Sequence, residues 1–244
     1  KRYSTQDIFS LFLDYSQNYG YPMAAWRLPE DNVQHMILDL SGVSKKVETD
    51  LENLPSGFLF SAFDNDFSLP NAQADFINAD LHFDSQSRQI NLPNSQRASA
   101  KAFTLRDSML DRLKHGSISS PDHSKRHLPN GSTFHTQEKD HFLKMVRSAV
   151  QEVRAQKFKK VVPSRCSFVP LPDDFNLAET FEKMCARYPH AFISLLAVPG
   201  LGMWLGASPE ILVSTFRQNG SRLFRTIALA GTQNGNASSS GSPT

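Results

Sequence analysis

With 244 residues, 39% hydrophobic and 20% charged, the chain has an ordinary soluble globular composition, long enough for one large domain or two small ones. A formal net charge of +2 gives no whole-chain case for nucleic acid or an anionic membrane, and no apolar run approaches the roughly 20 residues that span a bilayer. The opening KRYSTQDIF lacks an initiator methionine, as in a trimmed chain, and no secretory apolar stretch follows it. Cys166 and Cys185 have neither metal nor redox spacing, so both read as reduced cysteines of a cytoplasmic protein.

Residues 4–18 predict a helix: Ser4 can cap it, Ile8, Leu11, Phe12 and Tyr15 recur at helical spacing, and Gly20 suits the stop. The short apolar runs 23–28, 35–40 and 58–63, bounded by Pro, Asp and Gly, read as strands, with 75–83 and 88–92 as further candidates. A second helix is expected over 103–114, with Leu105, Met109, Leu110 and Leu113 on one face. The Ser-, Pro-, Gly- and His-rich stretch 115–133 then reads as an exposed connection. The irregular spacing of His115, His123, His127 and His135 in so polar a segment favours solvated histidines over a metal site.

From Thr136 the pattern tightens. Thr136 can cap a helix whose first turn carries Glu138 and Asp140, where the helix dipole favours carboxylates. Phe142, Met145, Val146, Ala149, Val150 and Val153 form one apolar stripe, and the helix should end near Lys157. A strand is expected over 160–169. Period-2 alternation puts Lys160, Val162, Ser164, Cys166 and Phe168 on one face and Val161, Arg165 and Val169 on the other. Pro163 removes a ladder donor, so that strand should be bulged or at an edge. Asn176 and Glu179 resemble a capping box for a helix bearing Leu177, Phe181 and Cys185, which must stop before Pro189. An antiparallel meander should follow, turning at Pro199–Gly200 and at Asn219–Gly220. The tail QNGNASSSGSPT is of low complexity, and no internal repeat is visible.

Three short motifs lie in fixed order on the expected β elements: KVVPSR at 160–165, GASPE at 206–210 and ALAGT at 228–232. Lys160 and Glu210, 50 positions apart, are the ionisable residues they share out. Taken alone, a strand-leading lysine is usually solvated and a loop glutamate merely polar. Together the motifs resemble the chorismate-utilising enzymes, a family that includes isochorismate, salicylate, anthranilate and aminodeoxychorismate synthases. The resemblance covers 136–232 well and the first 120 residues loosely.

The resemblance is closest to isochorismate synthase, an isomerase that adds water at one ring carbon of chorismate and expels hydroxide from another. It implies Lys160 as the general base that activates water and Glu210 as the general acid for the departing hydroxyl. A lysine is a base only when neutral, and a carboxyl donates a proton near neutrality only when its pKa is raised; desolvation favours both. The backbone around Gly231 and Thr232 is implied to receive a substrate carboxylate, where glycine permits close approach of N–H groups to an anion. Lysine in the strand motif is typical of the water-adding branch, not of the enzymes that add ammonia. Salicylate synthase, which shares the lysine and then eliminates pyruvate, is the alternative, together with an inactive chorismate-binding-like module. Menaquinone and siderophore biosynthesis both remain open as the pathway served.

The family's cofactor, Mg2+, is implied as well, but its ligands are expected in a C-terminal half beyond the matched motifs. The implied fold class is α+β, antiparallel sheets with packed helices, one half of the family's α/β sandwich. On this reading 1–120 is an N-terminal α+β region, 121–133 an exposed linker, 134–232 the first half of the catalytic region and 233–244 a low-complexity tail. The expected partners are chorismate and the missing C-terminal half of the same protein, with the present chain inactive alone.

Overall fold

The computed structural model describes residues 3–48, 50, 53–61, 73–94, 99–116, 139–167, 169–172, 174–209 and 213–226. Helix α1, Thr5–Tyr19, is fixed at both ends by local chemistry. The Ser4 hydroxyl accepts from the Asp7 amide at 3.0 Å, and the Asp7 carboxylate accepts from the Ser4 amide at 3.2 Å. Gly20 closes the helix with φ 68°, a left-handed conformation that a side chain would resist. Seven strands follow: β1 (Met23–Arg27), β2 (Gln34–Leu38), β3 (Lys45–Glu48), β4 (Gly57–Phe60), β5 (Gln73–Asn78), β6 (Leu81–Asp84) and β7 (Gln89–Asn91). Then come α2 (Ala100–His115), α3 (Lys139–Arg154), α4 (Leu177–Arg187), β8 (Phe192–Val198), β9 (Gly202–Ser208), β10 (Ser214–Gln218) and β11 (Ser221–Arg225). The architecture is α+β, with antiparallel pairing at every strand contact.

The chain divides into two compact units, one comprising Lys1–Leu128 with Leu177–Thr244 and the other Pro129–Asn176. In the first unit a six-stranded sheet runs in the order β7-β6-β2-β1-β8-β9, and β8 pairs with β1 from the far end of the sequence. One face carries Met23, Ala25, Met36, Leu38, Leu81, Phe83, Ile193 and Leu195, all buried beneath α1, α2 and α4. Phe181 of α4 is 0% exposed, and its ring meets Phe9 of α1 at 5.2 Å between centroids. The opposite face, with Ala24, Ile37 and Val198, packs on Ile77, Ala79, Phe58 and Phe60 of a three-stranded sheet ordered β3-β5-β4.

At the joint between β2, β5 and β6 the buried carboxylates are satisfied, as burial demands. Asp39, 0% exposed, accepts from the amides of Ser41 and Asn78, while Asp80 accepts from the Leu40 amide and the Asn78 side chain. This network pins the end of β2 to the β5–β6 turn. Burial, followed by the neighbouring Asp39 charge, pushes the Asp80 carboxyl above the usual carboxylate range, although the Leu40 amide pulls the other way. Between α1 and α2, the Arg112 guanidinium donates to Asp14 at 2.8 Å and lies over the Tyr15 ring.

The described part of the second unit consists of α3 and the segment after it. Residues 160–167 form no strand, contrary to the sequence expectation. A strand exists only by pairing. Pro163 withdraws one donor from this segment, and no described strand lies beside it. The alternation nevertheless survives: Val161 and Pro163 line a groove with Val146, Ala149, Val150 and Val153 of α3, and Arg165 lies over the Phe142 ring at 6.0 Å.

Candidate functional site

Lys160 opens the segment that lies along α3 in the second unit and is exposed. Its neighbours Val161 and Pro163 lie against α3 and Arg165 lies over the Phe142 ring, while Lys160 and the 76%-exposed Val162 are exposed. Among the described residues no carboxylate pairs with Lys160, whereas nearby Lys157 is tied to Glu152 at 2.8 Å.

The second motif begins in β9, the edge strand of the six-stranded sheet in the first unit. Its register is fixed by Ser194 opposite Gly206 and Phe192 opposite Ser208, so the ladder ends just before Pro209. A tight turn sets that register: the Leu201 amide bonds the Val198 carbonyl at 3.1 Å, and Gly200 and Gly202 take φ of 79° and 94°. Glu210, Gly231 and Thr232 lie outside the described residues, as do His123, His127 and His135. His115 is exposed at the end of α2, against Asp111.

A family model of the chorismate binding enzymes matches residues 50–240. The chain belongs to that family. A search of curated proteins finds no match. For a chorismate binding enzyme, the position of the two described motif segments is informative. In the second unit Val161 and Pro163 of KVVPSR lie against α3, and in the first unit residues 206–208 end β9, which is an edge strand among the described residues. Chorismate is the substrate that this membership implies.

Magnesium is implied by the family resemblance, but among the described residues no three His, Cys, Asp or Glu side chains converge as a metal ion requires. No described helix is long and apolar enough to cross a membrane.

Three titratable clusters escape the sequence reading. His35 Nδ1 and His82 Nε2 lie 3.2 Å apart, both stacked near Trp26; burial, then His35, holds His82 below the ordinary histidine range. Asp84, opposite His35 in the ladder, is held low by hydrogen bonds from Ser87 that outweigh its burial. On the other face Arg27 is 2% exposed beside Cys185, whose thiol is pushed up by burial against the pull of that guanidinium. Glu182 is raised by burial and by Glu179. The signal for the first cluster was period 2: Trp26, His35 and His82 fall on one face once strand register is known. Register is a long-range property that no local window contains.

Proposed function

We propose that this chorismate binding enzyme is an isochorismate synthase, an isomerase in which Lys160 activates water and Glu210 protonates the departing hydroxyl. The observation that carries the reading is the lysine at the head of KVVPSR, in a chain that also bears GASPE and ALAGT and belongs to the family. Adding water requires a base where adding ammonia does not, so a lysine there has a task only in the water-adding branch. The exposure of Lys160 in the described residues sets a requirement. A lysine accepts a proton only when neutral, so bound chorismate and further protein surface must cover it during turnover.

On the same reading the backbone at Gly231 and Thr232 receives a carboxylate of the substrate. Glycine there leaves room for N–H groups to approach an anion closely. Magnesium and the remaining carboxylate contacts fall to residues beyond those described.

Product analysis tests the proposal. An active form of the protein, given chorismate and Mg2+, should yield isochorismate at a rate independent of added ammonium salts. Anthranilate or aminodeoxychorismate would contradict the reading of Lys160, and salicylate with pyruvate would establish salicylate synthase in its place.

A further inference from the structure

Among the described residues β10 and β11 pair only with each other, and all five residues of β11 are exposed. Ser221 faces Gln218 across the ladder, so Asn219 and Gly220 are the whole loop. Both are exposed, with φ of 50° and 80°. Two positive φ values define the type I′ turn, one of the two forms that a two-residue hairpin loop commonly takes. The other form, type II′, keeps a positive φ at Asn219 and differs by a flip of the central peptide. That flip carries the Asn219 ψ from about 30° to about −120°. Gly220 has no side chain to obstruct it, and the space beside it is open: a Cβ there would meet nothing within 4 Å.

In the first form the Gly220 nitrogen is turned away from the Asn219 side chain. At a ψ of about −120° it eclipses the Asn219 Cβ, the arrangement that a planar five-membered ring needs. An unhindered main-chain nitrogen then lies against the side-chain amide carbon. Among the described residues Asn219 is the only asparagine with glycine after it. Asn78 and Asn94 are placed differently, because their amides are tied down. Asn78 donates to Asp80 at 2.6 Å, and Asn94 donates to Asn78 at 3.0 Å and to the carbonyls of Ser56 and Ala79.

We propose that Asn219–Gly220 is a self-modifying site, at which the hairpin deamidates through a succinimide. The Gly220 nitrogen gives up its proton and bonds to Asn219 Cγ. The Cγ–Nδ2 bond breaks, and the side-chain nitrogen leaves with that proton as ammonia. Water then opens the ring. Cleavage between the Gly220 nitrogen and Cγ gives aspartate; cleavage between that nitrogen and the main-chain carbonyl carbon gives isoaspartate, whose chain runs through Cβ and Cγ. One water is consumed and one ammonia released, with no redox partner. Isoaspartate lengthens the main chain by one carbon in a loop whose type is set by its length. Either product places a carboxylate in a stretch, 211–244, that has no acidic side chain.

The test incubates the full 244-residue chain at neutral pH in water enriched in oxygen-18, then follows the tryptic peptide Gln218–Arg222 by mass spectrometry. The Asn-Gly pairs at 130–131 and 234–235 fall in other peptides and leave this signal untouched. The expected result is steady uptake of a single oxygen-18 with isoaspartate in excess of aspartate, while Asn78 and Asn94 keep their amides. Because the flip stays inside the loop, the folded chain should convert within tenfold of the rate of the guanidinium-unfolded chain. Protection of the folded chain by more than tenfold would show that the turn locks the amide out of reach and would overturn the proposal. Aspartate without isoaspartate would overturn it as well, since direct hydrolysis of the side-chain amide passes through no ring.

Discussion

Replacing Phe181 by alanine tests whether the segment after residue 176 shares one core with the N-terminal sheet. Phe181 is fully buried and its ring packs, tilted, against Phe9, so truncation removes a whole aromatic side chain and leaves a cavity between α4 and α1. Losses of this kind cost about 3–5 kcal/mol, the transfer and cavity terms together. With a urea dependence of roughly 2 kcal/mol per molar, the midpoint should fall by about 1.5–2.5 M. The reporter is Trp26, which sits in β1 against His35 and Phe58, in a Trp204→Phe background that removes the other, exposed indole. A conservative Phe181→Leu control should recover more than half of the loss. If the Trp26 transition stays in place while helical signal disappears at low urea, α4 unfolds by itself. The single core built from both ends of the chain would then be wrong.

Two further outcomes follow from charged groups. His82 titrates below its unfolded value of about 6.5 because burial, then His35, disfavours its cation, with Asp84 opposing. The stability held by neutral His82 is therefore complete above about pH 6.5 and is lost as pH falls through the lowered folded value. Unfolding free energies at pH 7.5 and 5.5 should differ less in His82→Gln than in the parent, and parallel pH profiles would contradict this. Asp14→Ala removes the carboxylate from Arg112, which keeps its contact with Tyr15 and whose side chain is 25% exposed, so the penalty for breaking a buried pair is discounted to about 2–3 kcal/mol. Denaturation of Asp14→Ala, Arg112→Met and the double variant should give a coupling energy of about 1 kcal/mol or more, and simple additivity would refute the pair.

Helices α1 and α4 were legible in the sequence because their limits are local: a Ser4–Asp7 box and Gly20 for one, an apolar face ending before Pro189 for the other. The hairpin at Asn219–Gly220 was equally plain, since both residues take positive φ and only such a pair suits a two-residue loop. Helix α2 starts at Ala100, three residues before the expected start at 103, because Ser99 caps it with a hydroxyl bond to the Ala102 amide. The run 75–83 divides into β5 and β6 at Ala79–Asp80, where Asp39 and Asn94 hold the turn. Strand β3, KKVE, has no apolar alternation to announce it and forms by pairing with β5. Sheet order was beyond reach: β1 lies between β2 and β8, and nothing near residue 25 encodes a partner at 195. At the candidate site the motif around Lys160 was visible in the sequence. Its backbone state was not, because a strand depends on a neighbour that the local sequence does not contain.

The most direct measurement is turnover of chorismate by Lys160→Ala and Lys159→Ala in an active form of the protein, with products followed by proton NMR. Lys159 is equally exposed but alternates to the side of Val161, so its removal should leave isochorismate formation nearly unchanged. Lys160→Ala should lower kcat by roughly 10²–10⁴, the usual contribution of a positioned proton-transfer group, with a much smaller change in KM. Full activity in Lys160→Ala, or its loss in Lys159→Ala alone, would contradict the assignment of Lys160 as the base.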